Sequence, residues 1–195
     1  MVRRIIVSKP ADKETPTTAV EICALHKARA LAELLVADAM APGSDGIPWR
    51  GALIAEVAVV KGLPGPAEAS GGAALSGADG AAAVKALSAL GYAEGDLFFT
   101  LSRPQPGAIS ASGAARLRAQ IEAVDPSLVL ALDGEAAADV SAAFGIDQPA
   151  WGSGVVVLGR RIVAVDGLEA SLTNPARKRR VWEQLKAARV EGPVY

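Results

Sequence analysis

The sequence predicts an α/β protein, a three-layer α/β/α sandwich around a central, mostly parallel, four-stranded sheet. Three observations carry that expectation. Four apolar runs of strand length, over residues 53–60, 96–101, 128–132 and 155–158, barely alternate, as strands covered on both faces do. Helix-length spacers separate them, which implies right-handed crossovers between parallel strands. Loops rich in Gly, Pro and Asp follow the carboxyl ends of the runs, where open parallel sheets present ligands. The Val57, Phe98, Val129 and Val156 segments are the expected central strands, all buried; their order is left open by this pattern.

The remaining elements follow in chain order. Residues 9–17 are polar and carry prolines, and read as a loop. Residues 18–40 place Val20, Leu25, Ala28, Leu31, Leu34 and Leu35 at helical spacing, and residues 41–48 read as a connection. After the 53–60 strand comes a stretch, Lys61-Gly62-Leu63-Pro64-Gly65-Pro66-Ala67-Glu68, in which Pro64 and Pro66 fix φ while Gly62 and Gly65 permit close backbone approach. A helix is expected over 79–90, stopped by Gly91, and a loop over 102–107 follows the second strand. Residues 112–124 form an amphipathic helix with Leu117, Ile121 and Val124 inward and Arg116, Arg118 and Glu122 outward; Asp125-Pro126 ends it. The third strand leads through Asp133-Gly134 to a helix over 135–144, closed by Gly145. Residues 155–158 and 161–165 read as a hairpin around Gly159-Arg160 or as two short strands. The last helix is the best signalled, with Thr173 or Asn174 as N-cap, Pro175 at the first helical position, and Val181, Trp182 and Leu185 on one face.

Composition bounds the function. At 195 residues and 51% hydrophobic, with no run of about 18 apolar residues, the chain is expected to form one soluble domain over 1–195, with no membrane partner. The first residues, Met1 to Ser8, lack the apolar stretch of a signal peptide, so the cytoplasm is the expected location. A single cysteine, Cys23, excludes an intrachain disulfide and any cysteine cage for a metal; neither metal nor cofactor is expected. A net charge of −1 argues against a generally basic nucleic-acid surface, and 4% aromatic content leaves few platforms for stacking bases.

Four segments, in order, give the chain a resemblance. Pro64-Gly65-Pro66-Ala67-Glu68 with the glycine-rich Gly71–Gly77 loop, Leu90-Gly91-Tyr92 through Thr100 and Arg103-Pro104, Val124–Leu132, and Leu172-Thr173-Asn174-Pro175 through Lys186 together resemble the uracil-DNA glycosylase superfamily, in its bacterial and archaeal iron-sulfur branch. The resemblance covers about residues 50–189, leaving 1–49 as an N-terminal helix and loops. It implies a uracil-DNA glycosylase-like fold, DNA or a nucleobase as partner, a role in DNA repair, and base excision by hydrolysis of an N-glycosidic bond.

The departures fall on the chemistry. Gly167 stands where the resemblance places the catalytic histidine and Leu168 where its proline belongs. Leu101 stands where it places the base-reading asparagine, and Gly62 replaces the first glutamate of the first motif. The stacking phenylalanine is replaced within Ala73-Ala74-Leu75, and the cluster cysteines reduce at most to Cys23. Uracil excision is therefore expected to be weak or absent. Any remaining excision would rest on Asp166, one position from the histidine slot, and Glu68 from the facing loop, because paired carboxylates activate water and stabilise a cationic sugar. Glu68 also reads as the cap of the following turn, and Asp166-Gly167 as a turn dipeptide. Gly62, Pro64, Gly65, Leu101 and Gly167 are the candidate ligand-binding loops; Arg103, Arg177, Lys178 and Arg179 are the candidate DNA contacts, the last three also reading as a solvated helix face. His26 reads as a surface residue and Cys23 as a small core residue. The alternative is a non-catalytic module that binds a protein partner or small ligand at the old pocket. A basic rim around Pro64, formed by Lys61, Arg103, Arg160, Arg161 and residues 177–180, would favour the nucleic-acid reading; a neutral or acidic rim would favour the module.

Overall fold

The computed structural model describes residues 18–40 and 48–189; the expected loop over 9–17 and all but Pro48 of the connection over 41–48 lie outside them. The fold is α/β, with a six-stranded mixed sheet and seven α-helices among the described residues. The strands are β1 (Arg50–Gly51), β2 (Val57–Lys61), β3 (Leu97–Leu101), β4 (Leu128–Ala131), β5 (Gly154–Val157) and β6 (Arg160–Ala164). Their order across the sheet is β1-β3-β2-β4-β6-β5. The four inner strands are parallel, with Val57 level with Leu97 and Leu128, and Leu128 level with Arg161. β1 and β5 pair antiparallel at the two edges.

The sheet thus has six strands where four were expected, and the Val156 segment is not a central strand. Leu158 and Gly159 both have positive φ, 50° and 80°, and form the two-residue turn between β5 and β6. A turn that short forces antiparallel pairing, so only one of the two runs can continue the parallel sheet. β6 does so, with Ile162, Val163 and Ala164 buried, while Val156 on the edge is 58% exposed. The expected 53–60 strand begins only at Val57, and the unexpected two-residue β1 precedes it.

Helices cover both faces of the sheet. Ala58, Val60, Phe98, Val129 and Ile162 pack on one side with Leu34 of α1 (Ala19–Ala39), Leu117 and Ile121 of α4 (Ala111–Val124) and Val140 of α5 (Gly134–Phe144). Val57, Val59, Leu97, Phe99, Leu130 and Val163 pack on the other with Leu87 of α3 (Ala78–Ala89), Leu168 of α6 (Leu168–Ser171) and Val181 and Leu185 of α7 (Pro175–Ala188). Residues alternate between faces along each strand because the pleat points successive side chains to opposite sides. A short α2 (Pro66–Ala69) follows the Lys61–Gly65 stretch after β2.

Three local expectations are corrected. Arg116 is buried, because its Nη2 donates to the Leu101 and Ser102 carbonyls at 2.6 and 3.2 Å, past the end of β3. Cys23 is exposed, since α1 contributes only Ala30, Leu34 and Ala37 to the buried set and residues 19–29 lie beyond its packing surface. For the same reason Val20 and Leu25 face solvent, while Leu31 and Leu35 are exposed on the face of α1 away from Ala30, Leu34 and Ala37. Where α1 does pack, Asp38 accepts from Trp49 Nε1 at 3.1 Å and from Gln120 Nε2 at 2.6 Å, fastening it to β1's approach and to α4.

Candidate functional site

The strand order creates a switch point. From β2 the chain crosses by α3 to β3 on one side, whereas β4 lies on β2's other side and leads into α5. The connections after β2 and β4 therefore diverge, and a crevice opens at the carboxyl ends of these strands. Gly62, just after β2, and Asp133, just after β4, meet across it: the Gly62 N–H donates to Asp133 Oδ2 at 3.0 Å. Only glycine fits there, since a Cβ would come within 2.5 Å of Glu135 Cβ and 2.7 Å of Asp133 Oδ1. Asp133 also N-caps α5, accepting from the Ala136 N–H at 2.7 Å. Burial pushes its carboxyl above the ordinary carboxylate range, against the pull of its two backbone donors.

Beside this joint lies a cleft of about 380 Å³ whose walls include Pro64 after β2, Asp133 and Glu135 after β4, and Gly167 and Glu169 after β6, with Lys61 and Asp79 also lining it. Lys61, only 5% exposed, closes β2 with its ammonium bonded to Asp79 and, at 3.0 Å, to Glu169 Oε2. Burial alone would lower the ammonium's pKa, but the hydrogen bonds to Asp79 and Glu169 and the nearby Glu68 charge outweigh it and hold the group above its ordinary value. The cleft thus carries four carboxylates and one lysine, and the lysine is already shared by two of the four.

The predicted site residues separate into those at this cleft and those elsewhere. Pro64 and Gly167 line it together. Gly65 sits behind it, where a Cβ would approach Lys61 Nζ to 2.7 Å. Leu101 is buried at the end of β3, its carbonyl accepting from Arg116. Glu68 and Asp166 do not line the cleft. Both Glu68 oxygens accept backbone N–H groups, from Gly65 at 2.9 Å and Leu75 at 2.8 Å, which fastens α2 to the glycine-rich loop. Asp166 faces α7: its carboxylate lies 3.7 Å from Arg177 and 3.6 Å from Arg180, and its N–H donates to Gln184 at 2.8 Å.

The expected cationic rim is dispersed in the same way. Arg103 makes a two-pronged contact with Asp139, 2.7 Å on each prong, and Asp139's hydrogen bond raises its pKa. Arg160 pairs with Asp125, and Arg161 donates to the Ala187 carbonyl, both from the start of β6 at the end of the sheet away from the cleft. Lys178 and Arg179 border a different cavity, between α3 and α7. Sequence reasoning missed Glu169 and Glu135 as cleft residues. A signal existed for Glu169, because a lysine closing a fully buried strand requires counter-charges from its neighbours. Among the described residues no group of three or more His, Cys, Asp or Glu side chains is placed to hold a metal ion, and no helix is long and apolar enough to cross a membrane. No family model matches the chain, and no curated protein matches it.

Proposed function

We propose that this chain is a uracil-DNA glycosylase-like protein, a three-layer α/β/α sandwich whose cleft binds a nucleobase or nucleoside and has weak or no uracil-excising activity. The motif segments that carry the resemblance include the loops at the carboxyl ends of the parallel strands, and Pro64 and Gly167 share one cavity of a size suited to a base. The observation that carries the reading is the charge of that cavity. Glu135 and Glu169 offer acceptors to a ligand with N–H donors, such as the amino group of cytosine or adenine. A phosphodiester backbone would meet carboxylates there, while Arg103, Arg177 and Arg180 are engaged by Asp139 and Asp166.

Excision would need a group to stabilise the developing charge, and loss of one such group commonly lowers the rate about 10²- to 10³-fold. The test is an incision assay on uracil-containing single- and double-stranded DNA beside titrations with free cytosine, adenine and uracil, followed by amide shifts. The expected result is little or no base release, with shifts at Leu63, Gly167 and Asp133 for a free base. Robust excision by the wild-type chain, or DNA binding with a steep salt dependence and no response to free bases, would overturn the reading.

A further inference from the structure

We infer that the groove between α3 and α7 is a docking site for an acidic amphipathic helix of a partner protein. The groove has a volume of about 480 Å³ and walls that are mostly apolar. One bank is α3, which presents Ala82, Ala86 and Ala89 at intervals of four and three residues, the spacing of a single helix face. Small side chains keep that bank low. The other bank is α7, where Val181 and Leu185 form the buried base and Trp182 stands half-buried above them. A low bank facing a high one leaves a trough that fits the side-chain ridge of a third helix, with anchors recurring every three or four residues.

Charge selects the occupant. Lys85 on one bank and Lys178 and Arg179 on the other border the groove, which no acidic side chain lines. None of the three forms an ion pair with a described residue, whereas Lys61, Arg103, Arg160, Arg177 and Arg180 all do. Cations on both banks of an apolar trough match a helix whose apolar anchors are flanked by Asp or Glu on both sides. A second copy meeting the same face about a two-fold axis would set Lys178 and Arg179 against their own counterparts, and a flat bilayer has no ridge to enter a concave groove. This inference stands on the groove alone and does not depend on what the cleft binds.

The experiment uses the full chain and a synthetic helical peptide of about 18 residues, with Leu anchors on one face and Glu flanks. Its controls are the same peptide with Lys flanks, phosphatidylglycerol vesicles, and sedimentation of the chain alone across concentration. Binding is read by amide and indole shifts and by affinity. The Glu-flanked peptide should shift Ala86, Leu172 and the Trp182 indole. Its affinity should fall about tenfold or more in the double variant Lys178→Glu/Arg179→Glu. Ala86→Trp, which fills the trough from a half-buried helix position, should abolish binding with the protein still folded by its thermal melt. Equal binding of the Lys-flanked peptide, shifts confined to other surfaces, or no binding of either peptide would overturn the inference. So would vesicle binding through these residues, or a concentration-dependent dimer that Ala86→Trp dissolves.

Discussion

The cleft and the groove lie on opposite sides of the same four-residue helix. Gly167, Glu169 and Ala170 line the cleft, while Leu168 and Ser171 line the groove. They handle charge in opposite ways. In the cleft, one lysine, Lys61, is shared by Asp79 and Glu169, and Asp133 is held by two backbone donors, so the cleft keeps an excess of carboxylates. At the groove the walls are apolar and the cations on the rim form no ion pair with a described residue. A dense cluster of ionisable residues is thus, in large part, the means by which the carboxyl ends of the strands are held together, whereas the sparse cations of the groove rim have no described counter-charge to hold them from a partner.

The largest effect should come from breaking the cleft's buried ion pair. Lys61→Met leaves Asp79, 4% exposed, without its counter-ion, and removing one partner of a buried pair costs about 3–5 kcal/mol. Urea unfolding should show that loss, and the double variant Lys61→Met/Asp79→Leu should recover most of it. A double variant as unstable as the single one would mean that the charges do more than cancel. Next in size is Glu68→Ala, which strands the Gly65 and Leu75 N–H groups at about 1–3 kcal/mol for each donor that stays buried. Glu68→Gln, keeping one acceptor oxygen, should lose less by the same measurement.

Asp133→Ala should cost about 0.5–2 kcal/mol as a lost N-cap. Its conservative variant sharpens the comparison through pH. Burial raises the folded-state pKa of Asp133 above the unfolded one. Its contribution to stability is therefore full below the unfolded pKa and is lost as pH rises through the folded pKa. The stability of the wild-type chain relative to Asp133→Asn should decline across that interval and level off above it, as read from denaturant midpoints at a series of pH values. A difference that grew with pH would contradict the assigned cause. The smallest effect is expected at the groove, where Lys85→Ala and Lys178→Ala, at exposed positions, should change stability by no more than about 0.5 kcal/mol while weakening the acidic peptide.

How much of this was legible beforehand varied with the physics. Asn174-Pro175 announced α7, and Asn174 Oδ1 indeed accepts from the Ala176 and Arg177 N–H groups at 3.1 and 3.0 Å, because a cap is a contact between residues two or three apart. Gly145 closes α5 with φ 64°, as its position required. Arg116 was misplaced because helical periodicity sorts residues by polarity, whereas the guanidinium goes to the carbonyls at the end of β3, a partner that exists only once α4 has docked. Asp166 and Arg177 look like a site and a phosphate contact when read singly. Folded, they lie 3.7 Å apart.

By itself the sequence determined the α/β class, most helices, the core strands at Val57, Phe98 and Val129, and the glycines at which no side chain fits. All of these depend on backbone conformation, side-chain period and local hydrogen bonding, whose range is a few residues. The tertiary structure alone decided that β6 rather than β5 completes the parallel set, that β2 and β4 part at the crevice, and that Glu169 comes back to Lys61 across 108 positions of chain. Those outcomes depend on which surfaces meet after the crossovers close. The sign and pairing of a charge are then set by neighbours distant in sequence, so the same lysines and carboxylates could not be sorted into structural and available ones until the sheet had brought them together.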